Sequence, residues 1–347
     1  MKKIAILLLI SLVLGIFAGC SGKVVVIGDC TCPTGGNQVP TTPHQPVEGA
    51  LKTGLAIVAN TTGSKDAEKA DYDVTLVAVL VDDNGVIRDC IIDSIGATVT
   101  FDATGTITTD VTAPIQTKNE LGDAYGMVNA GAVAEWYQQA DALAQFAIGK
   151  TVAEFKSGAV DATGKAPAGS DLASSATIYL GGYVAAVEVA VNNAKHLGAQ
   201  GGDELRLAAM PSLKANNATA ENVGAIELNC DVTALTVKDS VITSCYIDSL
   251  QAKVEFGTDG VITKGISNAV ETKNQLGDRY GMVAWQGAIA EWYQQAASFA
   301  SYITGKTAAQ VAGIAVDAGT KPTDADLVSS VTIAIGGFQS LIAKALA

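Results

Sequence analysis

The chain repeats itself over about half its length. Thr117-Lys118-Asn119-Glu120-Leu121-Gly122-Asp123-Ala124-Tyr125-Gly126-Met127 recurs as Thr272-Lys273-Asn274-Gln275-Leu276-Gly277-Asp278-Arg279-Tyr280-Gly281-Met282, nine of eleven positions being identical at an offset of 155. Glu135-Trp136-Tyr137-Gln138-Gln139 returns as Glu291-Trp292-Tyr293-Gln294-Gln295 at an offset of 156, so one residue has been inserted between the blocks. Gly149-Lys150-Thr151 matches Gly305-Lys306-Thr307, and Asp171-Leu172 with Ser174-Ser175 matches Asp326-Leu327 with Ser329-Ser330. Solenoid units are far shorter, roughly 20–50 residues, so a period of this length reads as a duplicated domain. The boundary falls near Gly198 to Asp203, giving repeat domains over residues 50–200 and 201–347.

Within each copy the predicted elements follow one order. Tyr72 to Val81 alternates and is rich in β-formers, Asn84-Gly85 is a hairpin signal, and Val86 to Ser94 continues as a second strand. Ala97 to Phe101 and Gly105 to Thr109 read as a further hairpin, and the second copy repeats this pattern from Ile226 to Ile262. The Thr-Lys-Asn loop comes next, then a helix over about Ala130 to Ile148 with the core anchor Trp136 (Trp292 in the second copy) and Leu143 on its apolar face. Gly149 is suited to end that helix. Thr151 with Glu154, and Thr307 with Gln310, form capping boxes for a short helix. A strand-like stretch from Thr177 to Leu180 leads into a last helix from about Tyr183 to Lys195. The class is α+β, two tandem copies of a twisted antiparallel sheet with helices packed on it.

The N-terminus carries a separate signal. Met1-Lys2-Lys3 is positive, Ile4 to Ala18 is uncharged and apolar, and Phe17-Ala18-Gly19-Cys20 follows. This resembles the lipobox of bacterial lipoproteins, with Phe17 where Leu is usual. The resemblance implies that residues 1–20 are a signal peptide and that Cys20 is diacylated. The mature protein would then be extracytoplasmic, anchored to the cell membrane by its N-terminal lipid. An uncleaved anchor or an ordinary signal peptide is the alternative. Residues 21–49 read as a flexible tether, with Pro33, Pro40, Pro43 and Pro46 among Gly, Thr and Asn. A net charge of −13 argues against nucleic acid as a partner.

Conventional catalytic sets are missing from the sequence pattern. Cys30 and Cys32 form a C-x-C in the tether, where a strained or intermolecular disulfide is open and a metal site lacks further ligands. Cys90, Cys230 and Cys245 lie in predicted strands as buried small hydrophobes, with a Cys230–Cys245 disulfide as the alternative. Of the two histidines, His44 lies in the tether, while His196, beside Lys195, suits the C-terminus of a helix. Gly149-Lys150-Thr151 is no phosphate loop, because Ala144 stands where that motif needs Gly and a helix precedes it. No nucleophile–base pair suggests a hydrolase.

The informative segment is Asp171-Leu172-Ala173-Ser174-Ser175-Ala176-Thr177, followed by a helix. It resembles the flavinylation motif of the bacterial FMN-binding domain family, which includes flavin subunits of Rnf complexes and of sodium-pumping NADH:quinone reductase, and exported flavin-bearing lipoproteins. The motif reads Asp, two variable positions, Ser or Thr, usually Gly, then Ala-Thr. The resemblance implies that a flavin transferase links FMN through its phosphate to Thr177, with Asp171 and Ser174 as motif residues. In the second copy, Asp326-Leu327-Val328-Ser329-Ser330-Val331-Thr332 implies Thr332 as acceptor, with Asp326 and Ser329. Ser175 and Ser330 replace the usual Gly. Val331 replaces Ala, and its β-branched bulk beside the acceptor makes Thr332 the weaker site.

Glu271-Thr272 and Leu276-Gly277 are similar to the family's loop beside the flavin, the first copy having Gln116-Thr117 and Leu121-Gly122. The flavin ring is then expected against Leu121-Gly122 or Leu276-Gly277, with Tyr125 or Tyr280 for stacking. Its phosphodiester is expected at a helix N-terminus. The implied partners are the membrane, the flavin transferase, and redox proteins or quinone-linked donors. A cell-surface binding or structural lipoprotein that keeps the scaffold without flavin is the alternative.

Overall fold

The computed structural model describes residues 49–64 and 67–347; Cys20, Cys30, Cys32, His44, the signal sequence and the tether to residue 48 lie outside the described residues. Each copy opens with a three-stranded antiparallel meander. In the first copy this is β1 (Lys52–Ser64), β2 (Ala67–Val81) and β3 (Ile87–Thr100), followed by α1 (Lys118–Leu121), α2 (Trp136–Ala147), α3 (Val152–Ala159), α4 (Asp171–Ser175) and α5 (Gly181–Asn192). The second has β4 (Glu204–Asn216), β5 (Gly224–Lys238) and β6 (Val241–Phe256), then the short β7 (Ile262–Lys264) and β8 (Ser267–Val270). Its helices are α6 (Lys273–Leu276), α7 (Met282–Gln286), α8 (Trp292–Ile303), α9 (Ala308–Ala312), α10 (Ala325–Val328) and α11 (Gly336–Ala345). The class is α+β, with strand orders β3-β2-β1-β8 and β4-β5-β6-β7.

The central strands explain how the layers stack. Along β2, Tyr72, Val74, Leu76, Ala78 and Leu80 point into one core, while Val77, Val79 and Val81 point into another. A strand apolar on both faces must be covered on both. The first core is shared between the copies: those residues pack with Ile226, Leu228, Val232, Leu250 and Val254 of the other sheet. The second core lies between the first sheet and α2 to α5, and a third lies between the other sheet and the helices of the second copy. The result is four layers, helix, sheet, sheet, helix.

The sheets meet about a pseudo-twofold axis. Phe101 and Phe256, equivalent by sequence, stack on each other with centroids 4.1 Å apart and planes 7° from parallel. A methyl group added at Gly105 would lie 2.6 Å from the Gly257 carbonyl oxygen, and one added at the equivalent Gly260 would lie 2.9 Å from that of Asp102. Reciprocal contacts of this kind are the mark of an isologous interface, here within one chain. Tyr72 adds a cross-sheet bond, its hydroxyl donating to the Ile226 carbonyl at 2.9 Å.

One feature breaks the symmetry. β8, from the second copy, pairs with β1 of the first at Ala59–Val270 and Thr61–Ser267. In β4 the position matching Ala59 by register is Pro211, which faces Cys230. Proline lacks the N–H a ladder needs, and Pro114 stands where β8 has Ala269. The first copy accordingly forms no counterpart of β8 among the described residues.

Several expectations need correction. β1 and β4 were not expected; in β1 small residues prevail because α5 approaches so closely that a methyl group on Gly54 would meet the Ala190 carbonyl oxygen, while β4 mixes charged, apolar and small residues and carries Pro211. β3 runs unbroken to Thr100, and only a Phe101–Ile107 bridge remains of the second hairpin. The long helix begins at Trp136 rather than Ala130, because Glu135 caps it. Residues Thr177 to Leu180 form no strand; Leu180 N–H instead donates to the Gly164 carbonyl, and α5 starts at Gly181. Cys230 and Cys245 are free, because Cys230 faces the shared core and Cys245 the outer one, on opposite sides of their sheet. His196 lies beyond the end of α5 and meets Asp83 at 3.0 Å, while Lys195 covers the Tyr246 ring.

A shared core makes the copies one cooperative unit. Calorimetry should show a single unfolding transition for both copies, and Phe101→Ala should destabilise all of it by about 3–5 kcal/mol. Two separable transitions, with only the first copy affected, would contradict the shared core.

Candidate functional site

The site is built on the first turns of α2 and α8, where the repeated Glu-Trp-Tyr-Gln-Gln block falls. Glu135 and Glu291 are buried N-cap residues, each in a capping box with the Gln three residues on. Their carboxylates also accept from the backbone of the preceding loop: Met127 N–H at 2.8 Å and Val128 N–H at 2.9 Å in one copy, Met282 N–H at 2.8 Å and Val283 N–H at 3.0 Å in the other. Each carboxylate thereby fastens a loop to a helix start.

The second glutamine of the block reaches the threonines. Gln139 is fully buried; its amide N–H donates to the Ala134 carbonyl at 2.8 Å. Its oxygen accepts from Thr177 N–H at 2.8 Å, Ile178 N–H at 3.2 Å and the Thr177 hydroxyl at 3.3 Å. Gln295 repeats this, donating to Ala290 and accepting from Thr332 N–H at 2.7 Å, Ile333 N–H at 3.1 Å and the Thr332 hydroxyl at 3.2 Å. Three donors on one buried oxygen fix the backbone around each threonine. Thr177 is nevertheless exposed and Thr332 half-buried.

The rest of the acceptor segment is helical or turned inward. Asp171 and Asp326 are exposed in the short helices α4 and α10. The Ser174 and Ser329 hydroxyls donate back to the carbonyls of Asp171 and Asp326. Ser175 ends α4 and Ser330 follows α10, and neither has the positive φ that would require glycine. Ala176 and Val331 both point into the core. The bulk of Val331 therefore does not crowd the Thr332 hydroxyl, contrary to the sequence expectation.

The Thr-Lys-Asn block docks on the same helix turns and on the free edge of the sheet. Thr117 caps α1, the Asn119 amide donates to the Ile92 carbonyl on the open side of β3, and Asn119 N–H donates to Asp93. Thr272, Asn274, Ile247 and Asp248 repeat this on β6. Lys118 covers Tyr125 and Trp136 at 5.3 and 5.0 Å, and Lys273 covers Tyr280 and Trp292 at 5.2 and 4.9 Å. Gly122 and Gly277 sit near φ 51°, ψ −128°, a conformation side chains resist, and are followed by one 3-10 turn. Leu121, Leu276 and Gly277 are half-buried beside them. Tyr125 is exposed; Tyr280 is half-buried, and its hydroxyl donates to Gln251. Exposed Glu271 forms a two-bond pair with Arg279, which holds its carboxyl below the usual range.

The loop and the threonine segment thus share one helix start in each copy, the loop through Tyr137–Asp123 and Tyr293–Asp278, the threonine through glutamine. Sequence reading missed Gln139, Gln295, Asp93 and Asp248. The repeated Gln-Gln pair was the available signal for the first two. Among the described residues, no three His, Cys, Asp or Glu side chains gather as a metal site would require. A cleft of about 780 Å³ lies beside β6, lined by Lys195 and Tyr246 together with Asn274 and Tyr293 of the second copy's site, with neither threonine in its wall. Comparison with family models, curated proteins and solved structures finds no match to the chain.

Asp93 and Asp248 give the site a pH signature. Burial pushes each carboxyl up to about 6, against donors from Thr117 or Thr272 and from the backbone. An acid that keeps its proton longer when folded stabilises the fold below its unfolded pKa near 4, and that contribution is lost as pH rises through 6. The stability difference between the wild type and the Asp93→Asn, Asp248→Asn variant should therefore fall between pH 4 and 7, by on the order of 3 kcal/mol per site. A difference independent of pH in denaturant titrations would contradict the assignment.

Proposed function

We propose that the protein is a membrane-tethered, extracytoplasmic flavoprotein that carries FMN for electron transfer, built from two copies akin to the FMN-binding domain family. Thr177 and Thr332 are the proposed acceptors, and the flavin transferase, a lipid anchor at Cys20 and redox proteins or quinone-linked donors are the proposed partners. The observation that carries this reading is the matched pair of threonines. Thr177 is exposed and Thr332 half-buried at the end of the same motif, each with its backbone and hydroxyl bonded to a buried glutamine. A hydroxyl that must be esterified needs this combination of fixed backbone and open side chain.

A second feature supports a phosphodiester there. α5 and α11 start with Gly181-Gly182 and Gly336-Gly337, and no side chain caps either start. Gly181 N–H donates to the Gly164 carbonyl; the N–H groups left without a side-chain cap and the helix dipole favour an anion. FMN would supply the redox chemistry; the protein's part is to hold the linked threonine in place.

The alternative is a surface lipoprotein that uses the scaffold without flavin. Its support is that the repeated Thr-Lys-Asn and Glu-Trp-Tyr-Gln-Gln side chains find partners inside the protein, so packing alone accounts for their recurrence.

In-gel flavin fluorescence of protein from the native host separates the two. The wild type should fluoresce, Thr177→Ala and Thr332→Ala should each lose roughly half of the signal as independent sites do, and the double variant should lose all of it. A dark wild type in a host that flavinylates other proteins favours the scaffold.

A further inference from the structure

Two aromatic rings stand out because the protein leaves them in water. Tyr179 is 61% exposed and Trp285 is 78% exposed. Each packs against glycine. A methyl group added at Gly164 would sit 2.2 Å from Tyr179 Cε2, and one at Gly181 would sit 2.6 Å from the Tyr179 hydroxyl oxygen, so the ring spans both glycines. A methyl group on Gly281 would lie 2.4 Å from Trp285 Cε3 and 2.6 Å from Cζ3. Backbone thus lies close against one part of each ring, and most of the ring is left to solvent.

The two copies reach this arrangement by different residues. Where the first copy has Tyr179, the second has Ala334; with no ring to seat, Thr320 takes the place of Gly164 despite a φ of 58°, while Gly336 still matches Gly181. The equivalence is fixed by matching bonds, Leu180 N–H to Gly164 and Ile335 N–H to Thr320. Trp285 comes instead from the short helix α7 ahead of α8, where the first copy has Ala130. Each copy thus has one ring on a glycine floor, from non-equivalent positions.

Both rings belong to segments tied to the proposed acceptors. Thr177 and Tyr179 are exposed while Ala176 and Leu180 are buried, which puts the two exposed side chains on one side of the segment. Trp285 lies in α7, five residues ahead of Ala290, whose carbonyl is bonded to the glutamine that holds Thr332. By contrast, Lys118 and Lys273 already cover a face of Tyr125 and Tyr280, the rings the sequence favoured.

We propose that Tyr179 and Trp285 are stacking platforms for a planar heteroaromatic ring, the isoalloxazine of a flavin carried on Thr177 and on Thr332 respectively. This rests on the flavin assignment above. Stacking on one aromatic face is too weak to retain a free ligand, but covalent linkage makes the contact intramolecular and raises its effective concentration. A one-sided platform therefore suits a tethered ring.

The test uses full-length protein from the native host, with intact mass and flavin emission per attached flavin both measured. Aromatic contact quenches flavin emission. In a Thr332→Ala background, where only Thr177 carries flavin, Tyr179→Leu should raise emission per flavin several-fold. In a Thr177→Ala background, Trp285→Leu should do the same and Tyr179→Leu should not. Both rings are exposed, so the variants should keep the wild-type melting transition. Normal added mass with unchanged emission in both leucine variants overturns the platforms and leaves the flavin assignment standing. No added mass in any of these proteins overturns both.

Discussion

The burial of one sheet against the other is the constraint on which everything else depends. Each meander is apolar on both faces, so neither can be covered by its own helices alone. Duplication meets that need by turning the two inner faces toward each other, with Phe101 on Phe256 at the axis and the outer faces left for helices. Burial of this kind, at about 25 cal/mol per Å² of apolar surface, is the main favourable term available to such a chain. It also sends α2 and α8, and with them Thr177 and Thr332, to opposite sides of the molecule.

The repeated motifs form a polar counterpart to that core. They are clamps: an asparagine on a free strand edge, a lysine on two aromatic rings, a glutamate on a loop, a glutamine on a threonine segment. A buried amide or carboxylate left without partners costs about 1–3 kcal/mol, so a clamp of this type persists as a unit or fails as one. Its retention in both copies after other positions diverged follows from that. The same clamps hold the backbone beside the threonines, so structural and functional accounts of the motifs meet at Gln139 and Gln295.

Much of the secondary structure was legible in local chemistry. The capping boxes at Thr151 and Thr307 form as their residues predict, and Gly149 ends its helix with positive φ. Trp136 and Trp292 are buried as core anchors. What escaped was set by distant packing. β1 is a strand of mostly small residues because α5 presses on it, and Thr177 to Leu180 is tied by a glutamine side chain rather than a neighbouring strand. The inward turn of Val331 is likewise a tertiary fact, invisible in a motif that places it next to the acceptor. At the site, Thr177 and Thr332 came from motif order. Gln139 and Gln295 did not, since nothing in a helical Gln-Gln pair says which of the two points inward.

Peptide mapping of protein from the native host tests the central claim most directly. Mass spectrometry should find an FMN phosphodiester on Thr177, in the peptide that follows Lys165, and a second on Thr332. Unmodified peptides at both threonines, in cells whose other acceptor proteins are flavinylated, would contradict the account.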